Sequence, residues 1–313
     1  MILRMKIGSK NEKVVDGLQQ LLRGVFMGAA DVVPGVSGGT IALLLGIYER
    51  LVHNIHVTSS ACVLFLKRDL PRSKENFSRI EWRFIVPLLL GILVSFIGFA
   101  QIIEIILEEY PRQTAGFFFG LVLASIVAAI SMIDVWKNFY LLCIPLIAAS
   151  AFFFLGLRAG PIANPSLIVF FISGAIAICA MILPGISGSF LLLMMGMYGS
   201  LIETVNNREL TKLTVFAFGA ILSLGFSARG LNWLLLKFRD PLLAFLIALM
   251  IGSLRVIWPW PNGVGVVSSE ENEVVEGSIL AWPLSLSDFF WPTLFLIIGF
   301  IVVMSIWNFG RTK

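Results

Sequence analysis

Residues 34–48 read PGVSGGTIALLLGIY, and residues 184–198 read PGISGSFLLLMMGMY. The two stretches align without a gap at an offset of 150, with seven of fifteen positions identical. In each, a proline that cannot continue a helix is followed by glycines that permit tight turns, and then by an apolar run. Each sits at the middle of an apolar region, 17–51 and 167–205, long enough for two helical limbs. Each limb has only about 16 residues, short of the roughly 20 that a full crossing of the hydrocarbon core needs. Both regions are therefore expected to be re-entrant or broken helical hairpins.

Outward from these motifs the chain is apolar almost throughout. Its 313 residues are 58% hydrophobic and 13% charged, with a mean hydropathy of +0.92, well outside the range of a soluble domain. Runs such as 84–103 are apolar on every side, whereas barrel strands would alternate, so the spans are helical. Six are expected, at 84–108, 115–134, 139–157, 213–236, 241–259 and 289–309. The fold class is an all-α integral membrane protein. The first seventeen residues carry Arg4, Lys6, Lys10 and Lys13, and the apolar run after them ends in Asp31 and Pro34, so a cleaved signal peptide is not expected.

Orientation follows from charge. The basic segment 52–83, with Lys67, Arg68, Arg72, Lys74, Arg79 and Arg83, reads as a cytoplasmic loop; 260–288, with Glu270, Glu271, Glu273, Glu276 and Asp288 and no Lys or Arg, suits the outer face. Counting spans between these anchors puts both termini in the cytoplasm, although Arg158, Arg208 and Lys212 then fall outside. A second alignment, Gly91 to Val127 on Gly219 to Arg255, has an offset of 128 and matches Ser95 with Ser223, Ala100 with Ala228 and Ser125 with Ser253; Gly24 also matches Gly174 at the larger offset. The chain thus reads as two repeats, 1–157 and 158–313, each a hairpin plus three transmembrane helices. An odd number of spans gives the copies opposite orientations, the inverted-topology architecture of many secondary transporters.

The candidate substrate site is the pair of breaks: Pro34, Gly35, Ser37, Gly38, Gly39 and Thr40 in the first, and Pro184, Gly185, Ser187, Gly188 and Ser189 in the second. Ser37 and Ser187 stand at helix starts, where free N–H groups and the helix dipole favour an anion. Small residues of this kind also let membrane helices pack closely, which is the alternative reading. Ionisable residues within spans are further candidates. Arg229, in FSARGLNW, could grip a phosphate or carboxylate bidentately or pair with an acid such as Asp31. Asp31 and Glu104 could carry a coupling proton or sodium ion, or serve structure alone. Arg255, like Arg23, reads either as a side chain snorkelling to the interface or as a functional charge, and Trp258, Trp260, Trp282 and Trp291 read as an outer aromatic belt.

Other classes fit poorly. Cys62, Cys143 and Cys179 are widely spaced, and His53 with His56 has no acidic or cysteine companion, so no metal, cofactor or disulfide framework is expected. No basic stripe on a soluble domain suggests nucleic acid. Neither motif has a general base or paired carboxylate beside it, which argues against an enzyme.

The segments GVFMGAADVVPGVSGGTIALLLGIYE (24–49), MILPGISGSFLLLMMGMYG (181–199) and SARGLNWLLLKFRDPLLAFLIALMIGSLRVIWPW (227–260) resemble the DUF368 membrane proteins, the polyprenyl-phosphate transporter family. That resemblance covers nearly the whole chain. It implies translocation of undecaprenyl phosphate, the C55 lipid carrier of cell-wall glycan synthesis, from the outer to the inner leaflet of a bacterial cytoplasmic membrane. Where that family often has a basic residue after WPW, this chain has Pro261 and Asn262. A carrier of a small soluble anion is the competing expectation.

Overall fold

The computed structural model describes residues 10–33, 36–157, 160, 162, 164–260 and 280–311. Its helices are α1 (Lys10–Val32), α2 (Gly38–Leu44), α3 (Tyr48–Leu66), α4 (Leu70–Arg79), α5 (Trp82–Glu109), α6 (Pro111–Ile130), α7 (Asn138–Phe154), α8 (Leu167–Ile182), α9 (Gly188–Met194), α10 (Tyr198–Asn206), α11 (Leu210–Lys237), α12 (Arg239–Ser253) and α13 (Leu286–Arg311). No strand occurs among the described residues. The chain is an α-helical membrane protein.

The six expected spans correspond to α5, α6, α7, α11, α12 and α13. Their ends differ: the span expected to reach residue 134 stops at Ile130, and the one expected to reach 259 stops at Ser253. α6, α11 and α13 are each long and apolar enough to cross a membrane, and two bent pairs, α4 with α5 at 71° and α9 with α10 at 107°, bring the number to five. α7 and α12, of 17 and 15 residues, are shorter than a full crossing.

The basic segment 52–83 is largely helical. Asp69 accepts a hydrogen bond from Arg72 N–H at 3.4 Å and Pro71 opens the first turn of α4, both favourable helix-start features. Ser73 then donates to the Ala61 carbonyl at 2.9 Å, folding α4 back along α3.

The hairpins have unequal limbs. α1 and α8 are long, whereas the returning limbs α2 and α9 have seven residues each and end in turns at Gly46 and Gly196, whose φ values of +67° and +70° suit glycine. The element order of residues 10–154 recurs from α8 onward, with α3 and α4 replaced by the shorter α10. Helix pairing repeats as well. α1 packs on α5 as α8 packs on α11, and the pair α6 with α13 has its counterpart in α12 with α7.

These pairs are close because small residues meet at the crossings. A Cβ on Gly24 would overlap the Leu88 carbonyl and one on Gly91 the Leu21 carbonyl; in the second copy Gly174 meets Phe216 and Gly219 meets Phe171 in the same way. Those four glycines are the positions that the two alignments equate. α12 lies inside the molecule, with Leu243, Leu246, Ile247 and Met250 almost fully buried, and α2 is buried along its whole length. α11 presents Phe218, Ile221, Leu222, Phe226 and Leu236 outward, as a lipid-facing helix would.

Candidate functional site

The two breaks lie against each other in the core. Ser37 has extended backbone (φ −127°, ψ 130°) and caps α2 by accepting from Gly39 N–H at 3.1 Å. Its buried hydroxyl also lies 3.4 Å from the Leu183 carbonyl and 3.5 Å from that of Met181, to which it donates across the seam. In return Gly185 N–H donates to the Thr40 hydroxyl at 2.9 Å. Gly185 has φ +91°, a conformation few other residues adopt, and its Cα packs against Met250 of α12. Gly39 lies beside the carbonyls of Met181 and Ile182, where a side chain would crowd both. Backbone bent in this way within a membrane is tolerated only where it is enclosed by protein or lines a wet cavity, and here each break encloses the other.

The two copies differ in one respect. Asp31 accepts a hydrogen bond from Gly38 N–H at 2.6 Å, so the first two amides of α2 are held by Asp31 and Ser37. The expectation that these amides stand free is corrected by that carboxylate. Met181 occupies the matching position of the second copy. There Ser187 makes no capping bond; its hydroxyl lies 2.8 Å from that of Ser189 instead. Gly188 packs against the Ala177 carbonyl.

Of the other expected residues, Pro184 is buried in the seam with Gly185. Pro34 and Gly35 lie outside the described residues, as do the side chain of Glu104 and the acidic stretch 270–276. Arg229 is exposed on α11, near enough to His56 of α3 for their charges to interact. It makes no hydrogen bond or ion pair among the described residues, so it joins neither break directly and has no pairing with Asp31. No group of His, Cys, Asp and Glu suited to a metal ion occurs among the described residues.

Charges at one end of the molecule form a network that the sequence reading missed. Arg239, at the start of α12, donates to Glu49 at 2.7 Å, to the Met132 carbonyl at 3.0 Å and to Asp134 at 3.2 Å. Arg50 donates to Glu81 at 2.9 Å and lies 4.2 Å from the Phe84 ring centroid, while Asn54 bonds both the side chain and the backbone N–H of Glu81. Burial alone would raise the Glu81 carboxyl, but these hydrogen bonds and the Arg50 charge hold it below the ordinary carboxylate value. Between the two clusters is a cavity of about 440 Å³, lined by Leu43, Gly46, Tyr48, Glu49, Arg50, Met132 and Arg239. The returning limb of the first hairpin thus ends in a charged vestibule. Spacing of opposite charges at Glu49–Arg50 and Arg239–Asp240 was the available signal, but nothing local joined residues so far apart in the chain.

The profile of the undecaprenyl phosphate translocase-like family matches residues 27–275. Among curated proteins, a polyprenyl-phosphate transporter of Vibrio cholerae is 41% identical over 251 residues, 79% of this chain and 80% of its own. Another protein of that name, from Staphylococcus aureus, is 29% identical over 305 residues, 91% of this chain and 94% of its own. No solved structure matches. The family profile spans both breaks, α11 and α12, and the chain belongs to the undecaprenyl phosphate translocase-like family.

Proposed function

We propose that the protein carries undecaprenyl phosphate across the bacterial cytoplasmic membrane from the outer to the inner leaflet for reuse in cell-wall glycan synthesis, and that it is not an enzyme. The observation that carries this reading is the buried seam of two helix breaks, Ser37 and Thr40 against Leu183 and Gly185, in a chain whose relatives are named for polyprenyl-phosphate transport. A lipid phosphate must bring its charge through hydrocarbon while its tail remains there. A polar seam at the contact between two repeats, flanked by helices with lipid-facing apolar surfaces, serves both needs. In this reading the repeats have inverted topology, both termini are cytoplasmic, and rocking one repeat against the other opens the seam to each leaflet in turn.

Asp31 then acts as the coupling group. Its carboxylate holds the Gly38 amide that a phosphate would seek, and two anions cannot share it. A proton on Asp31 weakens that hold and lets the headgroup in, so proton and lipid move together; sodium is the other ion such a carboxylate could take. Arg229, exposed on the flank of α11, would guide the headgroup.

The test is leaflet-resolved transport of labelled undecaprenyl phosphate in proteoliposomes, with and without a proton gradient. Wild type should transport, and Asp31→Asn should lose the response to the gradient. Failure of folded wild type to move the lipid, together with uptake of a soluble phosphate, would turn the reading to a small-anion carrier.

A further inference from the structure

At the other end of α12 from the Arg239 network lies a second pocket, of about 420 Å³, lined by Phe119, Phe152, Ile251, Leu254, Arg255, Trp258, Leu280, Ala281 and Trp282. Its volume falls within the roughly 300–1,000 Å³ of small-molecule sites. Its walls are aromatic and aliphatic, and among the described residues Arg255 is its one charged side chain. The side chain is partly buried. Its guanidinium lies folded into the pocket, 4.6 Å from the Phe152 ring centroid and pressed against Gly156, where a Cβ would collide with it. Its Nε is buried and has no hydrogen-bond partner among the described residues.

A guanidinium with its Nε buried and unpartnered among the described residues carries a desolvation cost, and an aromatic face offsets that in part only. An anion supplied from outside would complete the pairing. Guanidinium geometry favours phosphate or carboxylate, and the surrounding apolar walls favour a ligand that carries a hydrocarbon chain beside its charge. The position is also apt. Met250, which packs against Gly185 of the second break, is five residues before Arg255, which follows the end of α12.

We propose that the Arg255 pocket is a second phosphate site, which takes the phosphate-monoester head of a prenyl lipid from the membrane before it reaches the paired breaks. Trp282 and Trp258 flank the tail, and Gly156 is the small residue that seats the guanidinium. This rests on the polyprenyl-phosphate reading, and its test is independent of transport.

The full chain in detergent is irradiated with a photoreactive farnesyl phosphate, and labelled peptides are mapped by mass spectrometry. Labelling should fall on 251–258 and 280–282. In Arg255→Gln it should drop by about tenfold or more, as for a lost charge-assisted hydrogen bond. Labelling there should survive Ser37→Ala with Ser187→Ala. Should Arg255→Gln not accumulate folded, Arg255→Lys replaces it and should weaken labelling several-fold. Unchanged labelling in a folded Arg255 variant, or equal labelling by a photoreactive farnesol, overturns the proposal. Excess inorganic phosphate that leaves labelling intact supports a lipid headgroup; complete competition supports the phosphate site and removes its preference for lipid. Arg255-dependent labelling without transport would sink the transport reading and keep the pocket, and the converse result would do the opposite.

Discussion

Thr40 shows how much a single hydroxyl does in the seam. It is the acceptor for Gly185 N–H, an amide buried among apolar side chains with no other bond among the described residues. Thr40→Val keeps the shape and removes the acceptor, so it should destabilise the protein by roughly 1–3 kcal/mol, the cost of a buried donor left unmatched. Unfolding in detergent, followed by the melting temperature, checks this; an unchanged value would show that the two breaks do not depend on that bond. The sequence placed Thr40 in the candidate site through its motif. It could not place the partner, because apolar periodicity reveals which side of a segment is buried and not which distant segment buries it. Asp31 is similar: its position before the proline allowed coupling or capping, and only the folded geometry shows the carboxylate on Gly38.

Among the elements, the paired long helices depend on their glycine crossings. Gly174→Val would drive a side chain into the Phe216 carbonyl on α11, and overpacking of this kind costs about 1–3 kcal/mol or more. The same loss is expected for Gly24→Val against α5, whereas Gly17, which has open space around it, should accept alanine with no loss; melting curves of the three variants test the contrast. The link between α3 and α5 should respond to acid. Glu81 has a folded value below its unfolded one, about 4.3, so its contribution is present at neutral pH and is lost as pH falls through the folded value. Melting temperatures from pH 7 to about 3 should drop more for wild type than for Glu81→Gln; parallel curves would remove Glu81 from the link. The glycine matches were legible as pattern, and their role as crossing points was not. α4 was missed for a different reason. Its charges read as a loop, although Asp69, Pro71 and the helix-forming Lys74, Glu75 and Arg79 were helix signals in plain view.

For the whole molecule, the proposed opposed orientation of the copies is testable as sidedness. In a cysteine-free background, Ser78→Cys on α4 and Ser285→Cys before α13 should report opposite faces. A membrane-impermeant maleimide should label the second in intact cells and the first only after permeabilisation; labelling of both in intact cells, or of neither until permeabilisation, would end the inverted arrangement. Membrane class and the helix breaks were legible because hydropathy and proline–glycine punctuation are local properties. The pairing across copies was not, since α6, α7, α12 and α13 are all simply apolar. That pairing has its own consequence during synthesis. α6 finds its neighbour in α13 and α7 finds its neighbour in α12, so the first half of the chain leaves the ribosome without the helices it must sit beside. Until α12 and then α13 are inserted, α7 and α6 each lack their main neighbour. Separately made halves should therefore find one another in the bilayer, and a chain truncated before α13 should be read by quality-control proteases as an orphan.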